Sequence, residues 1–429
     1  MASSASADAS RGWRWIPTLY FAEGIPYVVV MSVSVVMYKN LGLSNTDIAL
    51  YTSWLYLPWV IKPLWSPIVD LFGTKRRWIF VLQFLVGAAL ACVALTVPTT
   101  RFLQLTLAVF WLMAFGSATH DIAADGFYML ALTPHLQAGF VGVRSTFYRL
   151  AMIAGQGGVV YLAGTLQKST GSVTHAWAIV FFLVAVVFGL AGAYHAWVLP
   201  RPESDHADPT RRAFLAGFAE VFAEFFRRKD LGVVLAFLLL YRFAEAQLLK
   251  LVTPFLLDGR EVGGLGLTTQ QVGIVYGTVG VIALTVGGIL GGLVVAKYGL
   301  KRMLWPLIII MHLPDLVFVL LAFAQPHNLY VIGAGLAAEQ FGYGFGFTAY
   351  MLYMILVAEG EHRTAHYAIC TGFMALGMML PGMGAGWIED HLGYRNFFLY
   401  VCIATIPSFI VAGLLKIDPQ FGKAETAKG

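Results

Sequence analysis

Charge is scarce in this chain: only 12% of its 429 residues are Asp, Glu, Lys or Arg, against 59% hydrophobic ones. A mean hydropathy of +0.73 goes with that, and together they exclude a water-soluble globular protein, in which about a quarter of the residues are charged. Cysteine is scarcer still. Cys92, Cys370 and Cys402 lie in apolar stretches without metal-like spacing, so no disulfide frame and no metal site is expected, and the three read as packing thiols. No Gly-x-x-x-x-Gly-Lys-Ser/Thr loop, His-Glu-x-x-His or Gly-x-Ser-x-Gly pattern occurs. ATP-driven work, zinc proteolysis and serine hydrolysis therefore lack sequence support, and neither an enzyme nor a cofactor is expected. The first dozen residues lack the charged start, apolar centre and cleavage site of a secretory signal, and residues 1–14 read as a disordered tail.

What the chain has in abundance is apolar runs of about 20 residues, the length that crosses a ~30 Å hydrocarbon core. Twelve are expected, beginning near Trp15, Thr46, Trp78, Phe102, Phe140, His175, Leu231, Gln271, Met303, Leu329, Thr364 and Arg395. Glycine-rich faces such as Gly287, Gly288, Gly291 and Gly292 suit helices whose backbones approach closely in lipid. The net charge of +5 points to no nucleic-acid partner, because its distribution matters more than its sum. Loops assigned alternately put nineteen basic residues, Arg144 among them, on one side and five on the other. The positive-inside rule then places both termini in the cytoplasm.

The only long interruption, Leu199 to Asp230, is rich in proline and charge before turning amphipathic from Ala213 to Phe226. It reads as a cytoplasmic linker (199–230) with an interfacial helix, dividing a six-helix bundle at 15–198 from another at 231–416, with a tail at 417–429. An internal repeat supports the division. "LYFAEG" from Leu19 resembles "LYRFAEA" from Leu240, pairing Glu23 with Glu245, and "YML" from Tyr128 recurs from Tyr350, both at an offset of 222. "VDLFGTKR" from Val69 matches "VAKYGLKR" from Val295, and "RSTFY" from Arg144 returns loosely as "RTAHY" from Arg363. Four matches in one order at nearly one offset imply parallel six-helix repeats, an arrangement that resembles the major facilitator transporters. The segment "DLFGTKRR" then falls where that superfamily has its signature loop, and Asp70, Lys75, Arg76 and Arg77 are expected to form a conformational latch.

Ionisable residues inside spans cost a few kcal/mol on insertion scales and are functional candidates by default. At 1.5 Å per residue, Asp125 and Asp121 lie ~10 and ~16 Å from the cytoplasmic boundary on the fourth span, with Arg149 of the fifth at ~13 Å and Glu23 and Lys62 at ~12 to 15 Å. Asp121 and Asp125 stand one helical turn apart. Two carboxylates that close repel when both are ionised, whereas Arg149 would hold them ionised, so the site can be poised to take up and release a proton. An equally physical alternative is a permanent structural clamp. Glu23 and Glu245 are read as further coupling acids, and Arg149, Lys62 and Arg242 as counter-ions. Lys250 reads as lying further out, Asp315 as serving a local role, and His312 as a packing or interhelical hydrogen-bonding residue. Under the 222 offset, Asp121 and Asp125 correspond to Tyr343 and Phe347, so one half offers a charged wall and the other an aromatic one. Such a cavity suits a bulky polar solute with stacking faces. Tyr20, Tyr128, Gln156, Glu339, Tyr343, Phe347 and Tyr350 are its expected lining. Ion-coupled secondary transport is the leading class, with a non-transporting membrane sensor as the alternative from another class.

"KPLWSPIVD" from Lys62, "HDIAADGF" from His120 and the long run from Glu339 to Phe398 resemble the AmpG-type muropeptide permeases and the related acetyl-CoA transporters. The resemblance spans nearly the whole chain. It implies a twelve-helix symporter of the bacterial cytoplasmic membrane that imports cell-wall amino sugars or anhydromuropeptides with protons, and it carries the acidic positions Asp121 and Asp125. The same fold carrying acetyl-CoA, a siderophore or a drug stays open. The expected partners are a small-molecule substrate, protons and the lipid bilayer, with the protein a monomer.

Overall fold

The computed structural model describes residues 2–203, 205, 220–360 and 363–423. Every regular element among them is helical. Twelve long rods follow one another in the described residues, in agreement with the all-α membrane fold expected from the apolar runs. The first, α1, is Ala2–Val28 continued through Val29–Val33 and Ser34–Asn40. Next come α2 (Asn45–Trp54 and Leu57–Leu71), α3 (Lys75–Thr96) and α4 (Phe102–Ala131). Then α5 joins Pro134–Ile153, Ala154–Val159 and Val160–Thr170, and α6 is Val173–Val198. In the second half, α7 is Leu231–Leu240 with Phe243–Leu257, and α8 joins Thr269–Val272, Gly273–Gly280 and Val281–Tyr298. Leu300–His312, Leu313–Asp315 and Leu316–Ala324 make α9, and Leu329–Val357 makes α10. The helical run Arg363–Ala404 breaks at Gly393 (φ 69°, ψ 159°) into α11 and α12, and α12 goes on through Ile406–Gly413. Residues 206–219, which hold much of the expected interfacial helix, and 424–429 of the expected tail lie outside the described residues.

Among the described residues, eight stretches are apolar and long enough to cross a bilayer by length and composition, the last of them comprising both α11 and α12. The rods outside that set, α2, α5 and α10, carry Lys62, Arg144, Arg149, Gln156 and Glu339. A lipid-spanning helix tolerates such residues only where they face protein or a wet cavity.

Local chemistry sets the ends. Ser44, Thr74 and Ser172 each accept a hydrogen bond from the backbone N–H three residues on, and Thr268 with Gln271 closes a reciprocal cap. Gly171 (φ 65°) closes α5 in the left-handed conformation open to glycine.

The rods pack into two units, Met1–Leu41 with Ile61–Gly217, and Gly42–Val60 with Phe218–Gly429. In the first, α1 lies on α5 and α3 lies between α4 and α6. A Cβ on Gly24 would stand 2.7 Å from the Cβ of Ala151, so glycine is what lets α1 and α5 approach. In the second, α10 is wedged between α8 and α9. Its "GYGFG" stretch alternates accordingly, with Gly342 and Gly346 against Pro314 and Met311 of α9 and Gly344 against Leu284 of α8. This is the packing role expected of the glycines. The start of α2 belongs to the second unit, where Asn45 Nδ2 donates to Glu389 Oε2 (2.7 Å) and to the Tyr394 hydroxyl (2.8 Å).

Candidate functional site

In the first unit, α1, α2, α4 and α5 bring together Tyr20, Glu23, Lys62, Asp121, Asp125, Tyr128 and Arg144. Lys62 Nζ donates to Asp121 Oδ2, with side chains 24% and 25% exposed. One turn along α4, Arg144 Nη2 donates to Asp125 Oδ1 at 2.6 Å, with side chains 28% and 41% exposed. Tyr20 donates its hydroxyl to the same oxygen at 3.2 Å. The guanidinium carbon of Arg144 lies 4.5 Å from the Tyr20 ring centroid and 5.1 Å from that of Tyr128, a cation held between two aromatic faces. Glu23 is buried beside this group, within electrostatic reach of Asp125, Arg144 and Lys62, and its Oε2 accepts no hydrogen bond.

The acids are thus each held by a different cation and both remain accessible. Ion pairs with this much exposure contribute about 0–1 kcal/mol to stability, too little for the fold to depend on either. Arg149 stands next to Tyr148, which itself reaches Glu23 and Asp125 electrostatically. Arg144, counted among the loop charges on the sequence, lies inside α5 and holds Asp125. The displacement follows from where α5 begins. Pro134 occupies its first turn, so Arg144 sits ~15 Å along the helix. Thr133-Pro134 is a readable helix start, and it was the available signal for this residue.

The other residues of the first unit have local duties. Tyr128 is buried and its hydroxyl donates to the Gln137 carbonyl. Gln156 is half-buried in the wide-turn stretch Ala154–Val159. Arg76 caps the end of α6, with Nε donating to Leu199 O at 3.1 Å and Nη2 to Ala196 O. The N–H groups of Lys75 and Arg76 donate to Asp205 at 2.8 and 3.0 Å, an acid at a helix N-terminus that sequence reading missed. Arg77 donates its backbone N–H to the Thr74 hydroxyl. The Asp70 side chain lies outside the described residues.

The second unit repeats the arrangement with its chemistry inverted. Under the 222 offset Tyr20 corresponds to Arg242, Asp121 to Tyr343, Asp125 to Phe347 and Tyr128 to Tyr350. Arg242 donates to the Tyr343 hydroxyl, and its guanidinium carbon lies 4.7 Å from the Phe347 ring centroid and 6.0 Å from that of Tyr350. The cation now sits on α7 and the aromatics on α10. Tyr350 is fully buried and donates to Leu238 O at 2.6 Å. Glu245 and Glu339 are wholly buried nearby, with Gln340 Nε2 donating to Glu339 Oε2 at 2.9 Å. His312 and Asp315 pair locally at 3.4 Å and lie with Glu245 in one buried group. Lys250 is buried and donates to Thr52 Oγ1 at 2.9 Å.

The sequence profile of the Major Facilitator Superfamily matches residues 18–313 and 262–429. The chain belongs to the major facilitator superfamily. This facilitator is 26% identical over 400 residues to the anhydromuropeptide permease of Escherichia coli (strain K12), covering 92% of this chain and 77% of that protein. It is 25% identical over 410 residues to the putative transporter AmpG 4 of Rickettsia conorii, covering 92% and 94%. The AmpG resemblance is thus matched by relatives of that name. Among solved structures, a point mutant of the nucleoside transporter NupG superposes with a TM-score of 0.72 at 15% identity, covering 94% of this chain and 99% of that one. A D-xylose-proton symporter does so at 0.66 and 14%, covering 99% of both. Those two likenesses establish the fold. The facilitator is a multi-pass membrane transporter of a small-molecule substrate and not an enzyme.

Proposed function

We propose that this facilitator imports cell-wall-derived amino sugars or anhydromuropeptides across a bacterial cytoplasmic membrane, driven by protons that bind at Asp121 and Asp125. The observation that carries the reading is Asp125, held by Arg144 and Tyr20 and still open on one side. Protonating Asp125 removes the charge that holds Arg144. The freed guanidinium, pre-oriented between Tyr20 and Tyr128, then suits a carboxylate of an acidic sugar or peptide, which it can bind through two parallel hydrogen bonds. Proton and substrate thus favour the same state of the site. Asp121 with Lys62 forms a second exchangeable pair one turn away, and Glu23 and Glu245 are further coupling acids. Arg149 and Arg242 are counter-ions.

Tyr20, Tyr128 and Gln156 in the first unit, and Glu339, Tyr343, Phe347 and Tyr350 in the second, are the proposed substrate-binding residues. The segment Asp70 to Arg77 is the proposed latch, both termini lie in the cytoplasm, and the protein works as a monomer without a cofactor. The relatives called anhydromuropeptide permease and AmpG support the cargo. Uptake of labelled cell-wall fragments into proteoliposomes with an imposed pH difference tests all of this. Accumulation is expected to collapse with a protonophore and in Asp125→Asn, while exchange across the membrane persists. Full accumulation in both Asp121→Asn and Asp125→Asn would falsify the coupling assignment.

A further inference from the structure

Glu245 on α7 and Glu339 on α10 are each fully buried and lie within hydrogen-bond reach of one another. Two carboxylates cannot hydrogen-bond when both are ionised. In that state both oxygens of Glu245 and Oε1 of Glu339 have no donor. Burying two such charges side by side without water or a cation on them costs several kcal/mol per ion. One proton placed between them removes the repulsion and supplies the missing hydrogen bond together.

The groups around the pair do not remove that need. On α7, Arg242 donates to the Tyr343 hydroxyl and lies on the Phe347 face; it reaches Glu245 electrostatically but donates no hydrogen bond to it. From α8, Tyr276 comes within electrostatic reach of both acids. From α9, His312 and Asp315 face Glu245 but face each other as well, at 3.4 Å. On α10, Gln340 serves the other oxygen of Glu339. From α12, Cys402 reaches only as far as Asp315. We infer that Glu245 and Glu339 hold one proton between them, an ion-binding site within the second unit that is separate from the Asp121 and Asp125 pairs.

A metal cation is the rival occupant. The nearest atoms of Glu245, His312 and Asp315 lie within 4.8 Å of one another. That spacing is compatible with an ion bound at ~2.0–2.2 Å, but Glu339 stands outside the set, so such an ion would not account for its approach to Glu245. A proton explains that approach directly.

Infrared spectroscopy of the full-length protein in liposomes at neutral pH tests the inference, because a protonated carboxyl and a carboxylate absorb at separate positions. The expected result is a deuterium-sensitive protonated-carboxyl band, of which Glu245→Gln/Glu339→Gln loses the intensity of one carboxyl. A loss of none, or of two, overturns the shared proton. So does one equivalent of bound metal in elemental analysis of the unaltered protein that disappears in the double variant. If the double variant does not fold, carboxyl-labelled glutamate in Glu23→Gln chains decides. A shifted band supports the pair, and its absence overturns it. Asp125→Asn leaves this band in place, so failure of the coupling reading and failure of this one give different results.

Discussion

Arg144 holds Asp125 at 2.6 Å while resting its guanidinium on Tyr20, the residue that donates to the same carboxylate. The triad ties Arg144 to the proposed proton site. Arg144→Gln is expected to fold, because the pair it breaks is part-exposed and contributes ~1 kcal/mol or less. Uptake should fall by at least about tenfold, the consequence of losing more than ~1.4 kcal/mol at a step that needs the guanidinium. Arg144→Lys keeps the charge but not the planar fork and should recover only part of the rate. Thermal unfolding together with proteoliposome uptake checks this, and an unaltered rate in Arg144→Gln removes the residue from the cycle.

Lys62 and Asp121 allow clamp and coupling to be told apart. A structural clamp depends only on opposite charges meeting, so Lys62→Asp combined with Asp121→Lys should restore whatever either single change loses. A coupling pair depends on which group takes the proton and where. The prediction is that the swap recovers the thermal stability either single change loses, about 0–1 kcal/mol for a pair this exposed, while gradient-driven accumulation stays lost. Recovery of accumulation in the swapped protein would favour the clamp.

The twelve rods were legible because a bilayer span needs a long apolar run. Lys62, Asp121, Asp125 and Glu245 were found on the same ground, as ionisable residues in apolar surroundings. Partners were harder. Which cation meets Asp125 depends on how far α5 extends toward its N-terminus, and Arg144 looked like a loop charge until Pro134 fixed that start. His312 and Asp315 lie three residues apart across the short 3-10 turn Leu313–Asp315, and their approach to Glu245 joins segments that no local pattern connects. Asp205 at the start of α3 is a contact between distant segments with no local signal.

Asn45 joins three helices through its side-chain amide, donating to Glu389 and Tyr394, while Tyr394 donates to Asp258 at 2.6 Å. Asn45→Ala takes a donor away from a buried carboxylate and is expected to cost ~1–3 kcal/mol. Asn45→Asp keeps the shape and replaces the donor with a third acid, so it should be less stable still. The order of thermal midpoints, wild type above Ala above Asp, is the check. An Asp variant as stable as the Ala variant would show that shape and not hydrogen bonding fixes this corner.

Gly291 and Gly292 are neighbours on α8 with opposite surroundings. A Cβ on Gly291 would meet Phe345 O and Thr348 Oγ1 of α10, each at 2.6 Å, whereas one on Gly292 would meet nothing within 4 Å. Gly291→Ala therefore has to push α10 away, and overpacking of this kind costs ~1–3 kcal/mol. Gly292→Ala gains up to ~1 kcal/mol of helix propensity at no steric cost. Because α10 carries Glu339, Tyr343 and Phe347, the displacement should reach the Arg242 cation–aromatic stack, and Gly291→Ala should weaken substrate binding as well as lower the thermal midpoint. Measured side by side, the two alanines are expected to move the midpoint in opposite directions. Equal effects would mean that the α8–α10 crossing is looser than the glycine contacts require, and that the position of α10 is set by its packing on α9 instead.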